Sequence, residues 1–355
     1  MNAGESTNGE GEHLSSRISG ARLCILFFVF LLIALGLGYP VLNRFDPSKT
    51  PGLSDVRSYA ALVKREANPG PAHLQFRVLV PVMARPIYLL AKGRIGTWDP
   101  VMLGLMAVDA LFVAATAFLI VVLGIRELHD WPTTVVASLL YFLNFCVPNM
   151  RLAGLVDAGE GFFLLALLWS LSRQKFRFLP IIGVLGALTK ESFIPISIAF
   201  GAAWLFASRK ERSFWRLAGP WIASSWLASL IAIVCAQWRI SGRFVSLIAF
   251  GTSLHGNRDY WHHFVFSIWD RNLLYVFVWL LPTALPLLAK FPKSWLVPTG
   301  TAVAMVFVLD GYYGGGAGTV GRELFSVAGP VLCLSSARFL CGEDSRTLTK
   351  LPREL

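Results

Sequence analysis

Lys190 and Glu191 stand side by side in "LGALTKESFIPIS", residues 185–197, in the middle of a run of about 32 mostly apolar residues. An ion pair in such a run either turns the chain or does chemistry, because one ionised side chain at the centre of a membrane helix costs roughly 2.5–3.5 kcal/mol. Other charged residues interrupt apolar stretches in the same way. Asp55 occurs in "LSDVRSY", Arg77 and Arg85 in "FRVLVPVMARP", Arg151, Asp157 and Glu160 in "RLAGLVDAGEG", and Arg322 in "GRELFSVAGPVL". A carboxylate held near a hydroxyl can serve as a general base. Arginine is the better fork for phosphate, and lysine acts as a point charge. Each also has an ordinary reading: Asp55 as a helix cap, Asp157 and Glu160 as complements to a helix dipole, the arginines as interface anchors or salt-bridge partners, and Lys190–Glu191 as a polar turn.

The histidines His255, His262 and His263 lie in "LHGNRDYWHH" with aromatic neighbours. Their spacing defines no tetrahedral site and carboxylates nearby are few, so a zinc site is not expected there. The glycine-rich "GYYGGGAG" (311–318) lacks the Lys-Ser/Thr that completes a phosphate-binding loop, and reads as a flexible gate. The cysteines at 24, 146, 235, 333 and 341 show no metal-ligand spacing and read as packing residues.

Composition sets what must position these residues. In 355 residues, 55% are hydrophobic and only 15% charged, which describes a polytopic membrane protein of all-α class. The net charge of +11 comes with no basic block interleaved with aromatics in a soluble domain, so anionic lipid or an anionic lipid-linked substrate is the expected partner and nucleic acid is not. Residues 1–20 read as a disordered cytoplasmic tail, 21–341 as the membrane domain and 342–355 as a second cytoplasmic tail. Apolar runs at about 22–40, 100–125, 132–149, 157–172, 177–189, 191–207, 216–238, 272–289, 294–312 and 323–341 predict about ten transmembrane helices. The first run lacks a small-residue cleavage site and is expected to be a retained span.

Short basic loops, "SRQKFR" (172–177), "SRKERSFWR" (208–216) and "KFPK" (290–293), together with the tail, are assigned to the cytoplasm. The segment between the first two must then cross an even number of times. A single helix of that length would be roughly 48 Å long against a core of about 30 Å, so two short helices joined at residues 189–192 are predicted, with Lys190 and Glu191 at an outward-facing tip. Residues 74–92, with two arginines and two prolines, are expected to lie along the outer surface. The loop 41–99 and nearly every unusual polar residue then share the exoplasmic side, as an active site there would require.

Four segments in this order and sidedness, "SDVRSYAALV" (54–63), "FRVLVPVMARP" (76–86), "LNFCVPNMRLAGLVDAGEGFFLLALLWSL" (143–171) and "GALTKESFIPI" (186–196), resemble the GT-C superfamily of polyprenyl-phosphate-dependent membrane glycosyltransferases, the dolichyl-phosphate mannosyltransferase-like enzymes among them. The resemblance covers roughly residues 20–210, and beyond them extends only to topology and "GRELFSVAGPVL". It implies transfer of a hexose or pentose from a polyprenyl-phosphate-linked donor to a glycan, lipid or protein acceptor on the exoplasmic face of a bacterial inner or plasma membrane. The position matching the family's catalytic carboxylate is Asp55, with Asp46 in "RFDPSKT" as its rival. Metal-dependent members carry a second carboxylate in that loop, whereas Val56 and Arg57 follow here, so no metal and no cofactor is expected. Arg77, Arg85, Arg151, Lys190 and Arg322 become candidates for the donor phosphate. Asp157, Glu160, Glu191 and the three histidines become candidates for the rest of the substrate, with Glu191 holding Lys190 or a neighbouring arginine in place. A transporter or flippase of an anionic or lipid-linked substrate, and a non-catalytic assembly subunit, are the alternatives in other classes.

Overall fold

A computed structural model describes residues 20–44, 54–66, 72–209, 212–242, 260–269, 271–313 and 319–342, and among them there are helices and no strands. Asp46, His255, the side chain of His263, both tails and most of the glycine-rich loop lie outside the described residues.

The chain opens with α1 (Gly20–Arg44), followed by two short helices of the first loop, α2 (Ser54–Lys64) and α3 (Leu79–Ala91). Next comes α4 (Pro100–Leu128), whose start is set by Asp99: its carboxylate accepts from the amides of Val101 and Met102 at 2.9 Å, with Pro100 in the first turn. His129, in the left-handed conformation, ends α4, and Asp130 caps α5 (Trp131–Leu143) in the same way. The chain continues through α6 (Asp157–Ser172), α7 (Leu179–Thr189), α8 (Phe193–Ala207), α9 (Arg212–Ser241), α10 (Tyr260–Ile268), α11 (Arg271–Phe277), α12 (Leu280–Leu288), α13 (Lys293–Tyr313) and α14 (Thr319–Leu340).

Five of these helices, in α1, α4, α9, α13 and α14, are long and apolar enough to cross a membrane, and six spans result if α11 and α12, bent by 55°, count as one. The chain is an integral membrane protein. Helices α5, α6, α7 and α8 have 13, 16, 11 and 15 residues. At 1.5 Å per residue these reach about 17–24 Å, short of a core of about 30 Å, so the expected count of about ten is not reached on length and composition.

The two most enclosed spans are α4 and α14, with 67% and 78% of their apolar windows buried, against 28% for α1 and α9, which leave their outer faces to lipid. Close backbone approach builds the interior, as is common without a hydrophobic drive between helices. A Cβ on Gly104 would stand 2.7 Å from the Ala84 carbonyl of α3, and one on Gly183 would stand 2.6 Å from the Ser225 carbonyl of α9. Helix α3, expected along the outer surface, thus lies against α4 with Val80, Ala84 and Tyr88 buried.

Chain direction sorts the two ends of the bundle. The Trp98 indole donates to Asn43 at 3.1 Å, joining the end of α1 to the start of α4, while Arg126 donates to the Ser172 carbonyl and joins the far ends of α4 and α6. The first end carries α2, α3 and the approach to α6.

Candidate functional site

The expected break between two short helices is present. Helix α7 stops at Thr189, Lys190 is extended (φ −158°, ψ 137°), and α8 resumes at Phe193. This departure from helix sends the Lys190 side chain into the bundle. Its ammonium donates to Asp157 Oδ1 at 2.9 Å, Glu160 Oε2 at 3.2 Å and Glu323 Oε1 at 2.7 Å. Asp157 and Glu160, three apart in the first turn of α6, share one helix face. Glu323 arrives from the first turns of α14 with Arg322, whose Nε stands 3.2 Å from Asp157 Oδ1. The Ser192 hydroxyl completes the base by donating to the other oxygen of Glu160.

A second group lies toward the rim. Arg77, just past the 3₁₀ turn Ala72–Phe76, forks onto Glu191: Nε donates to Oε2 at 2.7 Å and Nη2 to Oε1. Its remaining nitrogen, Nη1, donates to the Tyr59 hydroxyl at 2.9 Å and stands 3.6 Å from Asp55 Oδ2. Asp55 and Tyr59, four apart, lie on one face of α2. Burial opposes the Arg77 charge, but its contacts with Glu191 and Tyr59 together outweigh that and hold the guanidinium protonated. Burial also pushes the Tyr59 phenol up, so it remains a neutral partner for Arg77. Arg322 and Asp157 lie within electrostatic reach of Arg77 and Tyr59, which makes one cluster of the two groups. Side-chain exposure is 31% at Asp55, 16% at Glu191, 15% at Glu323 and 14% at Arg322, against 3% at Asp157 and nothing at Glu160, so among the described residues the cluster is most open at the Asp55 end.

Two buried residues brace it. Arg151 stacks against the rings of Tyr141 and Phe325 and donates to the Asp157 carbonyl at 3.3 Å and the Ser326 hydroxyl at 2.7 Å, fixing the starts of α6 and α14 relative to each other. A Cβ on Gly161 would meet its Nη1 at 2.2 Å, so only glycine leaves room for the guanidinium. Asp109, inside α4, accepts from the Gly154 amide at 3.0 Å, where the chain takes a left-handed turn (φ 78°) just before α6.

These contacts place each expected site residue as follows. Lys190 has three ammonium protons and three carboxylate acceptors, and it binds the cluster together. Glu191 pairs with Arg77, the neighbouring arginine, and not with Lys190. Asp157 and Glu160 are turned onto Lys190, Arg322 and Ser192, inside the protein. Arg151 is enclosed by protein, and Arg85 donates to the Val63 carbonyl at 2.8 Å, tying α3 to α2. His262 is exposed on α10.

Tyr59, Asp109, Ser192 and Glu323 escaped the sequence reading. Glu323 adjoins Arg322, Asp109 is a lone acid in a long apolar run, and Tyr59 follows Asp55 by one helical turn; each signal is present but faint. Among the described residues no group of three or more His, Cys, Asp or Glu stands ready to hold a metal ion, and an ammonium fills the centre of the carboxylate triad. Comparison of the chain with protein-family models and with curated proteins found no match.

Proposed function

We propose that the chain is an integral membrane glycosyltransferase that moves a sugar from a polyprenyl-phosphate-linked donor to an exoplasmic acceptor, with Asp55 as general base. The observation that carries this reading is the pairing of Asp55, the most exposed carboxylate of the cluster, with an arginine fork 3.6 Å away. In that arrangement the acceptor hydroxyl gives its proton to Asp55 as its oxygen attacks the anomeric carbon. The bond from that carbon to the phosphate oxygen breaks, and the lipid phosphate leaves with the electron pair. Arg77 and Arg322 supply the positive charge that the leaving group needs. Lys190 keeps the starts of α6, α8 and α14 at fixed distances, so the two arginines stay aimed at one place.

The same reading puts both termini in the cytoplasm of a bacterial inner or plasma membrane, the cluster at the exoplasmic end, and about ten crossings if the short helices pair into spans. The test is transfer of radiolabelled sugar from a polyprenyl-phosphate donor by the purified chain; no transfer from any hexose or pentose donor, with the protein folded, would defeat it.

The depth of Lys190, 4% exposed with three carboxylates around it, favours a second reading, a carrier of a lipid-linked or anionic substrate. A carrier would keep moving its substrate after Asp55→Asn. A non-catalytic assembly subunit would lose nothing by that change.

A further inference from the structure

Among the described residues the cluster and its two braces hold six carboxyl groups, Asp55, Asp109, Asp157, Glu160, Glu191 and Glu323, against four cations, Arg77, Arg151, Lys190 and Arg322. A phosphate can enter such a site only if a carboxylate gives way, because another uncompensated anion in a poorly solvated cluster is strongly opposed. Resting on the lipid-phosphate reading above, we infer that Glu191 is the stand-in for that phosphate: its carboxylate occupies the Arg77 fork in the substrate-free protein and is displaced when the donor's phosphate arrives.

Three observations select Glu191. The contact is a two-pronged one, Nε and Nη2 onto two oxygens, and a phosphate presents the same pair of acceptors to a guanidinium. The fork stays in position without Glu191, since Nη1 is held separately by Tyr59 and lies beside Asp55. Glu191 stands in the non-helical break between α7 and α8, with 16% of its side chain exposed, so it can swing out without unwinding a helix. Asp157 and Glu160 have no such freedom: they are enclosed within the first turn of α6. Displacement would carry the break with it, so donor binding would reach the ends of α7 and α8.

A built-in competitor lowers apparent affinity by the fraction of time it occupies the seat, and removing its charge removes that loss. The experiment measures binding of farnesyl monophosphate to the full chain in detergent micelles, with farnesol and inorganic phosphate run beside it. Glu191→Gln, which keeps the shape and loses the charge, should lower the Kd for farnesyl monophosphate roughly tenfold. Farnesol should bind both proteins alike, and a gain for inorganic phosphate as well would show that the fork reads the anion alone. Equal or weaker binding of farnesyl monophosphate by Glu191→Gln than by the parent overturns the exchange and leaves the transferase reading standing. Binding by neither protein overturns both. A second measurement needs no variant: in the parent, farnesyl monophosphate should speed hydrogen exchange at the amides of Phe193 and Ile194, which bond back to the Lys190 and Glu191 carbonyls. Unchanged exchange there in protein that has bound the probe also overturns the exchange.

Discussion

Asp55 keeps 31% of its side chain exposed beside Arg77, whereas Lys190 keeps 4% among three carboxylates, and the two call for different experiments. Asp55→Asn preserves size and most hydrogen bonding but removes the base, so transfer should fall by about two to four orders of magnitude with unfolding unchanged; near-normal transfer would assign the proton to another group. Lys190→Met should act first on the fold. Had Lys190 been an exposed turn residue, its loss would cost about 0–1 kcal/mol. Buried as it is, the change leaves three carboxylates without their common counter-charge, and a loss of about 3–5 kcal/mol is expected. Thermal unfolding in detergent decides between the two: a melting temperature close to the parent's would mean that the cluster does not depend on its lysine.

Helix α6 presents Asp157 and Glu160 correctly only because something holds its first turns. Arg151 does this from the side and Asp109 from below, through the turn at Gly154. Gly161→Ala would drive a methyl group into the Arg151 guanidinium, itself held by the rings of Tyr141 and Phe325, and should cost about 1–3 kcal/mol despite the better helix propensity of alanine. An unchanged or raised melting temperature for that variant would show that Arg151 has room to move. Asp109 gives a paired test. Asp109→Asn retains an acceptor for the Gly154 amide, whereas Asp109→Leu leaves that amide unpaired and should be the less stable of the two by about 1–3 kcal/mol. Equal stabilities would remove Asp109 from the bracing.

At the level of the whole molecule, the cluster belongs to one end of the bundle and the basic loop 172–177 to the other. Lys190 is too enclosed to report sidedness by cysteine labelling, but Arg57 on α2 and Lys175 after α6 are exposed. In a background without native cysteines, Arg57→Cys should react with a membrane-impermeant maleimide in intact cells and Lys175→Cys only after permeabilisation. Labelling of both from the same side would remove the exoplasmic site and the crossings built on it. Within the bundle α4 ties the layers together: it packs on α1 and α3, and its Asp109, about 14 Å along its axis, marks the depth of the cluster.

Membrane class, helical content and the interruption at residues 190–192 were legible in the residues alone, because each follows from local quantities: apolar fraction, run length against bilayer thickness, and the cost of a charge inside a helix. The gathering of Asp55, Arg77, Lys190 and Arg322 at one end was legible as an expectation of sidedness. The partners were not. Glu191 meets Arg77 across 114 positions and Lys190 meets Glu323 across 133, and nothing in the spacing distinguishes those pairs from the adjacent Lys190–Glu191 pair that the sequence suggests. Neighbours in an extended segment point to opposite sides, so adjacency separated that pair. Only the packing of α6, α8 and α14 decided which carboxylate each cation would find, because in a low-dielectric interior a charge is stable only where the fold delivers its counter-charge within hydrogen-bonding distance.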